Sequence, residues 1–267
     1  MSRAKAQVHR RGVPEIVEFW KGWSLSGPPF VHPQDLPALK TRAAELLEEP
    51  PTNLRRFIAS KRFDPEDRDF HFSLLPSPYV GDVCRADILL LLLNPGFKPA
   101  DYYAEWNVPE FRDRVVSNLY QRLDGVEFPF LLLDPRFCWH PGYRWWEGKL
   151  RKLAIILARK KYEGCYLDAL RELANRVAAI ELVPYHSAGF NHHSLLDRLA
   201  SVKCAQRYVQ EASRSKRRLI VVTRKAASWG LSASKNVIIN SRRFTRGASL
   251  GPDTPGGKAI LARLGLC

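Results

Sequence analysis

Four short runs, at residues 87–93, 178–183, 219–223 and 236–240, constrain the fold of this chain more than any other feature. Each is continuously apolar through its middle instead of alternating, which is the pattern of a strand with no solvent face. A sheet wet on one side would alternate with period two. Between the runs lie "WWEGKLRKLAIILARKK" and "LLDRLASVKCAQRYVQEASR", with apolar residues at helical spacing. Strands alternating with helices predict the α/β class, a three-layer α/β/α domain around a central, mainly parallel four-stranded sheet. That domain is expected over 81–267. Residues 1–80 read as a helical extension, with "PEIVEFWKGW" and "LPALKTRAAELLEE" at helical spacing and Glu48-Glu49-Pro50-Pro51 as a stop.

Charge narrows the partner. Lys and Arg number 42 against 27 Asp and Glu, a formal net charge of +15. Such a balance favours a polyanion, nucleic acid before an anionic membrane surface. No segment reaches the roughly 18–20 consecutive apolar residues of a spanning helix. The N-terminal "MSRAKAQVHRRGVPEIVEFW" lacks the apolar core of a secretory signal. The five cysteines (Cys84, Cys138, Cys165, Cys204, Cys267) are scattered with no Cys-x-x-Cys pair, which suits reduced thiols better than a disulfide frame or a zinc site. The expectation is a monomeric cytoplasmic protein, nucleoid-associated in a bacterium, that binds double- or single-stranded DNA, without metal, cofactor or membrane.

Four segments follow the ends of the apolar runs: "LNPGFKPADYY" (93–103), "ELVPYHSAGFNHH" (181–193), "VVTRKAASWGL" (221–231) and "IINSRRFTRGASLGPDTPGG" (238–257). In parallel sheets a ligand sits beyond the carboxyl ends of the strands, so these are the places to look. Singly, each has an ordinary explanation. Asn-Pro-Gly is a common turn. His186, His192 and His193 match no standard metal spacing. Arg242-Arg243-Phe244 is what a solvated basic loop looks like.

In this order the four segments resemble the uracil-DNA glycosylase superfamily, over roughly residues 80–267. Asn94-Pro95-Gly96 after an apolar strand is similar to the first motif of the mismatch-specific, thymine-DNA and single-strand-selective uracil glycosylases, whose asparagine positions the attacking water. "AIELVPYHS" resembles the second strand end, which in those enzymes carries an asparagine that reads the pyrimidine edge. "RLIVVTRKAASWGL" resembles the third strand and its helix. "NVIINSRR" with the later "LGP" resembles the last strand and the loop that enters the minor groove. The departures are specific: Glu181 stands where the edge-reading asparagine is expected, and Asn240-Ser241-Arg242 replaces a proline-containing triplet. The cysteines do not match the iron–sulfur pattern of some branches.

The resemblance implies roles for named residues. Asn94 would orient water, with Asn240 in the last motif and Asp101 as an alternative carboxylate. Asparagine cannot deprotonate water, which suits a dissociative reaction in which water adds late. Gly96 and Phe97 would present backbone N–H groups to a substrate oxygen, and Phe97, Tyr102 or Tyr103 would stack on the flipped base. Glu181, with His186 nearby, would read the base edge. Facing cytosine, an ionised carboxylate accepts from the N4 amine, whereas facing uracil it repels O4. A protonated one would also donate to N3. A cytosine derivative, modified ones included, is therefore expected ahead of uracil. DNA contacts are expected from Arg224, Lys225, Arg242, Arg243 and Arg246, and from "RRFIASKR" (55–62) and "SRSKRR" (213–218), with Phe244 or Leu250 as a wedge beside Arg243.

One role for such a chain is a monofunctional DNA glycosylase. No lysine sits at a strand end as a Schiff-base nucleophile, Lys98 and Lys225 being the closest. A second is a non-catalytic nucleic-acid-binding module on the same scaffold. A third is a metal-dependent nuclease built from Asp134, His140, Glu181 and His186, which lack a recognisable ligand pattern.

Overall fold

In the computed structural model, residues 13–41, 43–64, 66–241, 243 and 247–266 are described. Of the expected site residues, Arg242, Phe244 and Arg246 lie outside the described residues. The chain opens with four short helices, α1 (Glu15–Lys21), α2 (Leu36–Lys40), α3 (Ala44–Glu48) and α4 (Leu54–Ile58). Strands β1 (Tyr79–Val80) and β2 (Ile88–Leu91) follow, then α5 (Pro99–Asn107), α6 (Pro109–Leu119), α7 (Pro141–Lys161) and α8 (Tyr166–Arg176). The remainder is β3 (Val177–Ile180), α9 (Ala200–Ser215), β4 (Leu219–Val222), α10 (Ala226–Trp229), β5 (Val237–Ile239) and α11 (Pro255–Arg263).

The strands form one sheet in the order β1-β3-β2-β4-β5. The four expected runs are its four parallel strands, with Leu91 opposite both Ile180 and Val222, and Val222 opposite Ile239. A fifth strand, β1, corrects the expected count. It pairs antiparallel with β3, Tyr79 against Ile180 and Val80 against Ala179. Two residues carry no periodic signal, and a very short strand is a common way to finish a sheet edge.

The continuous apolar runs are explained by the two faces. Leu89, Leu91, Ile180, Ile220 and Val222 join one core cluster with Ile16, Val17 and Trp20 of α1 and Val202, Ala205 and Val209 of α9. Ile88, Leu90, Val177, Ala179, Leu219 and Val221 join another with Leu150, Leu153 and Leu157 of α7, Leu170 and Leu173 of α8, and Ile260 of α11. Alternate residues of one strand thus enter different cores, so every position must be apolar.

Helices α1 and α2, with Val31, Phe70 and Phe72, pack on the first of these faces, while Phe57 of α4 and Leu74 join Phe97 and Tyr102 in a third cluster. Buried Asp35 accepts from the Tyr185 hydroxyl at 2.6 Å and from the Ser201 N–H at 3.0 Å. One carboxylate thereby ties the N-terminal segment to the first turn of α9 and to the loop after β3. Among the described residues, no helix is long and apolar enough to cross a membrane.

Candidate active site

The polar segments do fall at the carboxyl ends of the parallel strands. Beyond β2 the ladder runs on for two residues: Leu92 N–H donates to the Ile180 carbonyl at 3.0 Å and Val183 N–H to that of Leu93 at 2.8 Å. Asn94 comes next. Its Nδ2 donates to Ser187 Oγ at 2.9 Å and to the Pro95 carbonyl at 2.9 Å. The Ser187 N–H reaches the Pro95 carbonyl at 3.4 Å, and His186 Nδ1 lies 2.8 Å from the Gly96 carbonyl. A carbonyl only accepts, so that ring nitrogen carries the proton. The loop after β3 therefore clamps the Asn-Pro-Gly turn at three points. Three groups of the turn are left over: Asn94 Oδ1, the Gly96 N–H and the Phe97 N–H make no hydrogen bond with the described residues.

Gly96 is exposed, has no positive φ, and a Cβ built there meets nothing within 4 Å. Nothing in the fold requires glycine at this position, so any requirement comes from what approaches it. Gly96→Ala is expected to melt at or slightly above the wild-type temperature, because it restricts the unfolded chain by about 0.4–1 kcal/mol. A ligand whose polar groups come up to this backbone should bind the variant tenfold or more weakly. A variant that is fully active would show that no ligand comes close to this backbone.

The turn is braced from the N-terminal segment. The Phe97 ring stacks on His71 at 3.5 Å between centroids, and Tyr102 stacks on Phe57 at 3.9 Å. His71 N–H donates to the His186 carbonyl at 2.9 Å, joining the stack to the clamp. Burial, helped by the charges of Arg62 and His186, lowers the His71 pKa to about 2, so the ring is neutral. Both rings are buried with their faces covered by protein, and neither Phe97 nor Tyr102 offers a surface to a base. That corrects the stacking role expected of them. Tyr103, one position on, points outward and is 48% exposed.

A cavity of about 50 Å³, room for a few waters, lies between α5, α6, β1 and the segment before α7, lined by Asp101, Glu105, His140, His186, Asn118 and Phe111 among others. Asp101 sits at the third position of α5 and accepts the Lys98 N–H with Oδ2 at 2.7 Å. Its Oδ1 is 3.1 Å from His140 Nε2. His140 Nδ1 accepts the Gly142 N–H at 3.0 Å, and Nε2, though close to the carboxylate, makes no hydrogen bond with the described residues. Glu105, one turn further along α5, accepts the Leu75 N–H at 2.9 Å, and burial pushes its carboxyl up to about 8. Burial also lowers the pKa of His186, against the opposing pull of Asp101 and the Gly96 carbonyl.

Glu181 follows β3 directly. The residue is 6% exposed, and its Oε2 has no hydrogen-bond partner among the described residues. Burial pushes its carboxyl up to about 8, although Arg224 beyond β4 favours the charged form. Arg224 also adds to the burial that lowers Lys149 of α7. Lys225 is exposed and holds a left-handed conformation, φ 51°, at the head of α10, and Arg243 is exposed too.

Asn240 and Leu250 are corrected by the structure. Asn240 is buried, donates to the Ser249 carbonyl at 3.0 Å and accepts the Gly256 N–H at 3.0 Å. It fastens the loop after β5 to the first turn of α11. Glycine is needed opposite it, because a Cβ at Gly256 would lie 2.5 Å from Val221 Cγ1. Leu250 is part of the second core cluster and is no wedge. Asp134 is taken up by Arg136, at 2.6 Å, and by capping a short turn. Among the described residues no group of three His, Cys, Asp or Glu is placed to hold a metal ion.

Sequence reasoning does not single out three contributors: Ser187, Glu105 and His71. Glu105 is four residues from Asp101 on one helix face, a signal that helical spacing carries. His71 has none, since its partners are tertiary. No protein-family model matches the chain, no curated protein is similar to it, and no solved structure matches it.

Proposed function

We propose that the chain is a monofunctional DNA glycosylase of the uracil-DNA glycosylase kind, a three-layer α/β/α domain acting as a cytoplasmic monomer. It flips a pyrimidine out of DNA and hydrolyses the N-glycosidic bond, leaving an abasic site. A cytosine derivative, modified ones included, is preferred to uracil. The setting is base-excision repair or defence against phage with modified DNA.

The observation that carries this is the state of Asn94. Its amide nitrogen is fixed by Ser187, and its amide oxygen is unused by the described residues, on a turn held at the end of a strand buried on both faces. An acceptor held in that way orients a water without taking its proton. The Gly96 and Phe97 N–H groups are donors available to the base as it leaves with negative charge, and preorganised donors supply most of the transition-state stabilisation in such reactions. Asp101, buried between a backbone N–H and His140, is the carboxylate nearest this chemistry in sequence.

One observation favours a second role, the non-catalytic binding module: Asn240, expected in the last motif, is committed to backbone groups. Mass spectrometry of free bases separates the two. The panel is DNA containing uracil, other deaminated bases or modified cytosines, together with phage DNA. Release of one base establishes the glycosylase and names its substrate. Binding without release of any base leaves the module.

A further inference from the structure

Among the described residues most aromatic side chains fill the cores; besides Phe63, the exposed ones are Tyr103, Trp139 and Trp145. These three are 48%, 37% and 37% exposed. Tyr103 and Trp139 stand edge to face, 6.3 Å apart at 83°. Trp139 rests on Phe111 and His140, at 5.9 and 5.5 Å, and both of those line the cavity described above. Tyr103 is two residues past Asp101, which lines the same cavity. The pair therefore stands beside the cavity, outside it. One cation is seen against one of these rings, and two more are exposed near them along the chain. Lys98 precedes α5 and Arg144 lies on α7, both exposed, and the Lys149 ammonium is 5.1 Å from the Trp145 ring centre.

Exposed rings of this size forgo burial that the fold could have used. Two adjacent exposed rings beside a cavity offer flat apolar faces on which a planar ligand can stack. The net charge of +15 indicates a polyanion. A polyanion with flat apolar faces is a nucleic acid, and its faces are accessible only where bases are unpaired. In a duplex they are covered by their neighbours. Rings interleaved with cations are how proteins hold single strands without reading sequence.

We propose that Tyr103 and Trp139 form a shelf on which unpaired bases flanking the cavity stack, so that the chain binds single-stranded DNA in preference to duplex. This rests on the nucleic-acid half of the function proposed above and is independent of catalysis. The test measures binding of labelled oligothymidylate and of a duplex of equal length to the full chain at one fixed salt concentration, since affinity depends strongly on salt. Wild type should prefer the single strand, and binding should quench tryptophan fluorescence. The double variant Tyr103→Ser, Trp139→Ala should lose about tenfold or more in single-strand affinity and less than about twofold on duplex. Trp139→Phe, which keeps a stacking face, should retain most of the affinity but lose quenching. Should Trp139→Ala unfold, Tyr103→Ser alone carries the comparison. The shelf is refuted by equal wild-type affinity for both forms, by variants that bind single strand as wild type does, or by equal losses on both. Base release from the same oligonucleotides is scored separately. No release with the shelf effect intact removes the glycosylase and keeps the shelf, whereas release without it removes only the shelf.

Discussion

Asn94→Ala is expected to cut base release by a factor on the order of 10² or more while leaving DNA binding within about twofold of wild type. The asparagine sits on a turn whose other anchors survive its loss. The Ser187 N–H still reaches the Pro95 carbonyl, and His186 still holds the Gly96 carbonyl. The removed side chain is half-buried, and its contribution to stability is of the order of one hydrogen bond, about 1 kcal/mol. In a chain of this size that moves the melting temperature by only about 2–4 °C. The loss of activity therefore cannot be confused with loss of fold. Ser187→Ala refines the test, because it removes the hydroxyl at 2.9 Å that fixes the amide and leaves the amide itself. An intermediate loss, about tenfold, is expected there. Undiminished release from Asn94→Ala would eliminate this role for the asparagine and transfer attention to Asp101, whose Asp101→Asn variant would then be the one that fails.

The parts of the molecule legible in the sequence are those whose cause is local. A run such as Ile88–Leu91 can be apolar throughout only if both sides are covered, so the four parallel strands and their alternation with helices followed directly. The location of the polar segments followed as well, because a parallel strand points all its carboxyl ends one way. Strand β1 did not, being two residues with no period. The fates of Phe97, Tyr102 and Tyr103 turn on α5 beginning at Pro99, one residue after Lys98. From there the helical turn carries Tyr102 inward to Phe57 and Tyr103 outward to solvent. Asn240 is the clearest limit. Its partner Gly256 is sixteen residues away, and nothing local shows that the amide will be committed to that N–H. His71 under Phe97 is a longer-range case of the same kind, from a segment outside the four strand ends.

Glu181→Gln is expected to change both stability and base preference, and pH separates the two effects. In the unfolded chain Glu181 ionises near 4.5, whereas in the fold burial keeps it protonated up to about 8. Between those values the unfolded state binds fewer protons, so wild-type stability falls as pH rises, by up to about 1.4 kcal/mol per pH unit, and levels above 8. Glutamine does not titrate. Any packing cost of its amide is the same at every pH, so the variant's melting temperature should gain on wild type between pH 5 and pH 8, by roughly 5 °C or more. Glu105 shifts the same way and remains in the variant, so a residual slope is expected until Glu105→Gln is added. Recognition follows from the same proton. The neutral acid has one donor and one acceptor and can serve the edge of cytosine or, with roles exchanged, that of uracil. Once ionised it only accepts, which favours the cytosine amine and repels the uracil O4. The ratio of aminopyrimidine to oxopyrimidine release should therefore rise as wild type passes through about pH 8, and stay flat in the variant. Common effects of pH on the reaction cancel in that ratio. A variant that keeps wild-type activity and wild-type preference at both pH values would show that Glu181 does not face the base.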